Sequence, residues 1–285
     1  MISRWRRRPA RAPAVILASA PRQEPESPPG KEMDSNRHPH LSSEFEEELS
    51  ELRSKLLLMA SKVEGLIATV IEALVDRDSS KAEGVIVRDK EIDALEKEVD
   101  ELCIRILALR QPAATDLRHI TTALKVVTDL ERMGDLCVNI AKAAIEVNRE
   151  PLLKPRYVDI PNMAVAARDM VRRSLDAFVR EDPELAKEVV VSDWRVDRLN
   201  DRVFQELLTH MIANPEAIGV ATRLLFVARH LERIADHATN VAEQVIFMVM
   251  GDDIRHQKAK LRAEMQAEAA RRGAADREDG ALPPH

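Results

Sequence analysis

The chain has 285 residues, enough to bury a large core in one domain or two. Only 3% of residues are aromatic and eight are glycine, a composition typical of helical bundles that excludes a β-sandwich or barrel. The net charge is -6, but the first 22 residues hold six arginines and no acid, which leaves 37 basic against 49 acidic residues. The rest of the chain is therefore acidic, which disfavours binding to the phosphates of nucleic acid and favours binding of cations.

Residues 1–40 are rich in arginine and proline and imitate a secretory signal, with a short apolar patch after a basic start. Because Pro13 interrupts that patch, we interpret the segment as a disordered extension, or as the result of a start site upstream of Met33, rather than as an export signal. No apolar run reaches the roughly 18 to 20 residues of a membrane-spanning helix, so we expect a cytoplasmic protein that reaches the membrane only through partners.

The two cysteines, Cys103 and Cys137, fall within helical patterns and form no CxxC pair. We therefore expect buried, reduced thiols in a cytosolic protein, with a disulfide between them as the alternative.

From Leu41 the apolar residues recur at steps of three and four, which predicts a long first helix capped by Ser42 or Ser43. A second helix is predicted from Lys81 to Leu109, before Pro112. The third begins near Ala114 and ends before a stretch with three prolines, NREPLLKPRYVDIP.

The same plan then repeats, with helices predicted at 161–180, at 183–213 and from Asn214–Pro215 to Met250. We therefore predict an all-α fold of two tandem three-helix bundles, six long antiparallel helices related by internal duplication. The predicted domains are the extension 1–40, a first bundle 41–150, a second bundle 151–256 and a charged, largely disordered tail 257–285.

Two nearly identical stretches, LERMGD at 130–135 and LERIAD at 231–236, place acids within otherwise apolar helices. Residues four apart lie on one face of a helix, so each stretch continues into a row of oxygen-bearing side chains. The rows are Glu131, Asp135 and Asn139 in the first half, and Glu232, Asp236 and Asn240 in the second.

A second pair of acids, again four residues apart, lies on each preceding helix: Asp89 and Asp93, then Asp193 and Asp197. If neighbouring helices bring the rows together, the converging carboxylates need countercharge. Metal ions that prefer oxygen ligands would supply it. The alternative is a set of solvated faces, with the acids paired to arginines: Arg118, Arg132, Arg223 and Arg233 are the candidates.

Neither row contains the Glu-x-x-His motif of redox di-iron bundles, and His237 follows Asp236 at an angle that takes it off the row. The chain also lacks a nucleotide-binding glycine loop and a nucleophile elbow. These observations argue against an oxygen-activating centre and give no sign of a nucleotide site or a catalytic serine.

The segments RQPAATDLRHI, LERMGDLCVNIA and LLFVARHLERIADHATNVAEQVIFMVMG resemble the PhoU family of bacterial phosphate-signalling proteins, from about Leu41 to His256. The resemblance implies paired three-helix bundles, often dimeric, with multinuclear metal clusters of Fe, Mn, Zn or Mg. It assigns as ligands the ten residues of the two rows and the two aspartate pairs. It also assigns Asp116, which has no acidic counterpart in the second half, where Gly219 and Val220 stand.

The resemblance further implies that the protein is not an enzyme but an adaptor that links the ATPase subunit of the phosphate ABC importer to its sensor histidine kinase and negatively regulates the phosphate-starvation response. A homodimer is expected, with no role for nucleic acid. Two alternatives remain: a metal-dependent phosphate-ester hydrolase that uses the paired acids, and a structural helical scaffold without metal.

Overall fold

The computed structural model describes residues 39–150 and 159–251, together with residues 254, 260, 261 and 263. Residues 1–38 of the predicted extension, and most of the predicted tail, lie outside the described residues. Within the described part the helices are α1 (Pro39–Val75), α2 (Ser79–Arg88), α3 (Lys90–Arg110), α4 (Ala114–Arg149), α5 (Ile160–Arg180), α6 (Pro183–Ser192), α7 (Trp194–Ala213) and α8 (Ile218–Met250), with a 3-10 turn at Pro215–Ala217.

The prediction of an all-α fold built from two copies of a three-helix plan is confirmed. In the first copy α1 is followed by the α2–α3 pair and by α4, and in the second α5 is followed by the α6–α7 pair and by α8. Equivalent aspartates, Asp78 and Asp182, cap α2 and α6 by accepting hydrogen bonds from backbone N–H groups of the first turn. The residue before each cap, Arg77 or Glu181, has a left-handed backbone.

The predicted start of the first helix is wrong. The helix begins at Pro39, so Ser42 and Ser43 lie inside its first two turns, where Ser43 Oγ donates to Glu47 Oε1 at 3.4 Å. Proline is favoured at the first helical position because its missing N–H has no intrahelical partner there, and this signal outweighs the serine cap.

The second and fifth predicted helices are each interrupted at one residue, Asp89 and Asp193, instead of running unbroken. At both positions the carbonyl accepts two N–H groups, from the third residue on at 2.8–2.9 Å and from the fourth at 3.2 Å. Since neither interruption has a proline or glycine at it, helical periodicity did not predict them. Asp89 and Asp193 keep right-handed helical backbone angles, and the segments on both sides pack on one helix, α2 and α3 on α4, and α6 and α7 on α8.

Helices α4 and α8 lie antiparallel at the centre of the molecule and join the two copies. Contacts at both ends fix their register, with Arg223 Nε 2.7 Å from Glu146 Oε2 and Lys125 Nζ 3.0 Å from Gln244 Oε1. Helix α1 runs antiparallel to α3, with Lys55 Nζ 2.6 Å from Glu98 Oε2.

The leucine that opens each repeated motif, Leu130 or Leu231, is fully buried in a continuous core. Both cysteines are buried, as predicted, and both are free. Burial raises the pKa of the Cys103 thiol to about 12, so this thiol is protonated at neutral pH.

Candidate metal centre

The first acidic cluster forms where the break between α2 and α3 faces the middle of α4. Asp89 at the break and Asp93 in the first turn of α3 lie close enough to Glu131 and Asp135 of α4 for their charges to repel one another. The structure therefore brings the two predicted acid rows of the first half together. It adds a fifth carboxylate, Glu96, which the sequence analysis missed.

Gly134 lets Asp89 approach α4 closely. A Cβ atom on Gly134 would lie 2.6 Å from Asp89 Oδ1 and 3.2 Å from Ile92 Cδ1, which is closer than van der Waals contact allows. The glycine in LERMGD thus makes room for the carboxylate at the break. In the second copy Ala235 occupies the equivalent position and is fully buried.

Burial and mutual repulsion make the first cluster costly to ionise. Burial, reinforced by the charges of Asp93 and Asp135, raises the pKa of the Asp89 carboxyl to about 6, and Lys142 only partly opposes this. Burial and the charge of Asp135 likewise raise the pKa of Glu131.

Countercharge within the first cluster is incomplete. The exposed Arg132 lies 3.3 Å from Asp135 Oδ2 and 3.4 Å from Glu131 Oε2, so the arginine-pairing alternative is realised in part. Glu131 Oε2 is nevertheless buried and accepts no hydrogen bond. An exposed ion pair of this kind contributes less than about 1 kcal/mol.

The equivalent acids of the second copy, which we call the second acidic cluster, lie on helices that pack together, α6 and α7 on α8. Asp193 at the break is buried, and Glu232 accepts a 3.2 Å hydrogen bond from Asn200 Nδ2 and pairs with Arg229. Asn200 occupies the position equivalent to Glu96, so an amide replaces one carboxylate. The remaining predicted acids of this half are Asp197, part-buried on α7, and Asp236, exposed on α8.

Glu96 and Asn200 had a signal in the sequence. Each follows the second aspartate of its row by three residues, Asp93 or Asp197, so it extends the same helix face by one turn. Their equivalent positions in the two copies are a further signal.

The two asparagines that end the rows lie beside the interface between α4 and α8. Asn240 Nδ2 donates to Asp129 Oδ1 of α4 at 3.5 Å, and His237 Nδ1 lies 2.8 Å from the same oxygen. Asn139 lines a groove between α4 and α8. Their assignment as metal ligands stays a prediction.

The structure does not bring Asp116 to the first cluster. This residue lies in the first turn of α4, 15 residues before Glu131, a separation of about 22 Å along a helix. An acidic residue at the end of a long helix cannot join a site at its middle, and this separation already follows from placing Asp116 and Glu131 on one predicted helix.

The donors of the first cluster fit a hard cation by chemistry, since they are carboxylate oxygens with one buried oxygen that accepts no hydrogen bond. In the conformation described for residues 39–150 and 159–251, no three His, Cys, Asp or Glu side chains converge closely enough to hold an ion. Binding would therefore require side-chain rotation within the cluster.

Stability of the metal-free protein is expected to fall as pH rises. The Asp89 carboxyl, shifted from 3.8 to about 6, holds its proton more tightly in the folded state, so the pKa difference favours folding below pH 4 and this contribution disappears above pH 6. Allowing for partial exposure, the loss is about 1–2 kcal/mol.

The measurement is urea unfolding with a chelator at pH 4.5 and pH 7.5. Asp89→Asn should show a smaller loss between the two pH values than the wild type, whereas Glu83→Gln, which removes an exposed acid of α2, should not. Equal losses for the wild type and Asp89→Asn would contradict the assignment.

The fold and site thus define a class: an all-α protein of two fused three-helix copies, in which acids of neighbouring helices come close together in the first copy. The family model described as the PhoU domain matches residues 56–144 and 160–245, one match per copy. The chain belongs to the PhoU family. Among the described residues, no helix has the length and apolarity needed to traverse a membrane.

Related proteins match over most of their length. The chain is 42% identical over 231 residues to a Pseudomonas putida protein named phosphate-specific transport system accessory protein PhoU homolog, a match spanning 81% of this chain and 90% of the relative. A crystal structure of PhoU from Pseudomonas aeruginosa matches with a TM-score of 0.70 and 42% identity, covering 73% of this chain and 100% of that one. The phosphate transport system regulatory protein PhoU from Streptococcus pneumoniae matches with a TM-score of 0.68, 28% identity, and coverage of 73% and 98%.

Proposed function

We propose that this protein is a cytoplasmic adaptor that negatively regulates high-affinity phosphate uptake and the phosphate-starvation response. It would do so by contacting the ATPase subunit of the phosphate ABC importer and the sensor histidine kinase, as a homodimer and without catalysis. The observation that carries the proposal is the match of both copies to relatives named as phosphate transport accessory proteins.

The proposal includes metal binding at the two acidic clusters. Asp89, Asp93, Glu131 and Asp135, with Glu96, would hold the ion or ions of the first site. A bound cation would supply the positive charge that the converging carboxylates lack. The residues of the chain itself position these carboxylates: the break at Asp89 orients one, and Gly134 admits it against α4.

Metal binding would then make the conformation of each copy depend on the cation. With the ion absent, repulsion at the break favours a more open α2–α3 segment, and with the ion present the segment is held against α4. Helices α2 and α3 both pack on α4, and α4 packs on α8. A change in the first copy would therefore be transmitted to the interface between the two copies.

The adaptor role is tested by co-purification and by deletion of the gene. The tagged protein should retain the importer's ATPase subunit and the kinase from cells grown in ample phosphate. A deletion strain should express phosphate-starvation genes in the same medium, and expression of the intact chain should restore repression. Normal repression in the deletion strain, with neither partner recovered, would exclude the proposal.

A further inference from the structure

An open groove lies between the second half of α4 and the first half of α8. On its α4 side it borders the first acidic cluster, since Lys142 acts on the charge of Asp89. Its volume is about 670 Å³. From α4 it is lined by Asn139, Lys142, Ala143 and Glu146, and from α8 by Gly219, Thr222, Arg223, Phe226 and His230. Each set recurs at steps of three and four, so the groove is built from one face of each helix.

The internal duplication allows the two ends of the interface between α4 and α8 to be compared, because it predicts an equivalent groove at the other end. There Lys125 of α4 donates to Gln244 of α8 at 3.0 Å and lies 5.6 Å from the centre of the Phe247 ring. Asp129 of α4 is bridged to His237 of α8 at 2.8 Å. These contacts between the helices occupy the equivalent region, which we call the closed groove, and one donor there, Arg118 Nε, is buried without a hydrogen bond.

The open groove lacks the side chains that make those contacts. The alignment that matches Glu131 with Glu232 also matches Ala143 with the bridging Gln244, and Gly219 with Arg118. Small residues therefore stand in the open groove where long polar ones stand in the closed groove, and the space between α4 and α8 is left free.

Polar groups in the open groove have few partners. Among the described residues neither Lys142 nor Asn139 makes a hydrogen bond or ion pair, and His230 Nδ1 is buried without a hydrogen bond. Arg223 uses Nε to pair with Glu146 at 2.7 Å, which leaves the rest of its guanidinium to face the groove beside Gly219. Lys142 and Asn139 are exposed, so their donors are accessible to a ligand from solvent. The buried Nδ1 of His230 is the group whose lack of a partner is uncommon in native proteins.

The charge of the groove selects the class of ligand. Lys142 and Arg223 outweigh Glu146, so the groove carries about one positive charge in a chain whose net charge is -6. Burial lowers the pKa of His230, so at neutral pH its ring is a neutral donor or acceptor. An ammonium, a guanidinium and an amide together suit several oxygens of one anion.

We propose that this groove binds a tetrahedral oxyanion, either free phosphate or a phosphoryl group carried by a larger molecule. Lys142, Arg223 and Asn139 donate hydrogen bonds to its oxygens, and Ala143 and Gly219 leave the space that it occupies. The site borders the first acidic cluster through Asn139 and Lys142 and does not depend on the adaptor role.

The test is isothermal titration calorimetry of chelator-treated protein at constant ionic strength, with phosphate, sulfate and glycerol 3-phosphate as ligands and chloride as the reference. Saturable binding of phosphate and sulfate is expected. Lys142→Gln and Arg223→Gln should each raise Kd about tenfold or more, because each removes a charge-assisted hydrogen bond. Arg202→Gln, which removes an exposed arginine of α7, should leave Kd unchanged.

A second variant separates the groove from general charge attraction. Ala143→Gln introduces the residue found in the closed groove and removes no cation, so it should weaken binding as much as the charge variants. Tighter binding of glycerol 3-phosphate than of phosphate would assign the site to carried phosphoryl groups, and the reverse order to the free anion. No binding beyond that of chloride, or full affinity in Ala143→Gln, would overturn the proposal.

Discussion

Replacing Glu131 and Asp135 together by alanine is expected to lower the affinity of the first cluster for metal about tenfold to a hundredfold. Both carboxylates come from α4, and Glu131 contributes the buried oxygen that accepts no hydrogen bond. Loss of two anionic oxygens removes most of what the α4 side of the cluster offers a cation. Elemental analysis of gently purified protein should show the loss of bound metal.

The difference in thermal stability between the double variant and wild type should depend on metal. In chelator, the double variant should melt no lower than wild type, because the repulsion that raises the pKa values of Asp89 and Glu131 is relieved. With metal at about 100 times its Kd, wild type should gain about 2.7 kcal/mol that the variant lacks.

A matched control removes the same two charges elsewhere. Glu47→Ala/Glu51→Ala alters exposed acids four residues apart on α1, and should leave metal content and the effect of metal on melting unchanged. Metal content equal to wild type in Glu131→Ala/Asp135→Ala would remove the ligand assignment.

Replacing Gly134 by valine is expected to lower the free energy of unfolding by about 1–3 kcal/mol. The new Cβ would meet Asp89 Oδ1 at 2.6 Å and Ile92 Cδ1 at 3.2 Å, and the two methyl groups need further space in a region where Ile92 is fully buried. Either α3 shifts away from α4 or Asp89 rotates out of the cluster. Metal affinity should therefore fall together with stability.

The control is Gly65→Val, the same change inside α1 at an exposed position with no atom within 4 Å of the added Cβ. Since valine has a slightly better helix propensity than glycine, this variant should be as stable as wild type or slightly more so. Urea unfolding of the two variants measures the difference between them. Equal stability of Gly134→Val and Gly65→Val would show that Asp89 does not depend on close approach to α4.

Local patterns predicted most of the helices because their causes are local. Apolar spacing and the prolines near the helix ends act over a few residues. The interruptions at Asp89 and Asp193 had no such local signal, and the segments on both sides of each pack on one central helix.

By itself the sequence determined the all-α class, the duplication and the rows that carry the acids, because residue periodicity encodes which side chains share a helix face. Only the tertiary structure decided which rows meet. It joined Glu96 to the first cluster and gave Glu232 an amide partner in Asn200. Those outcomes depend on how α3 packs on α4 and α7 on α8, which is fixed by packing between distant parts of the chain.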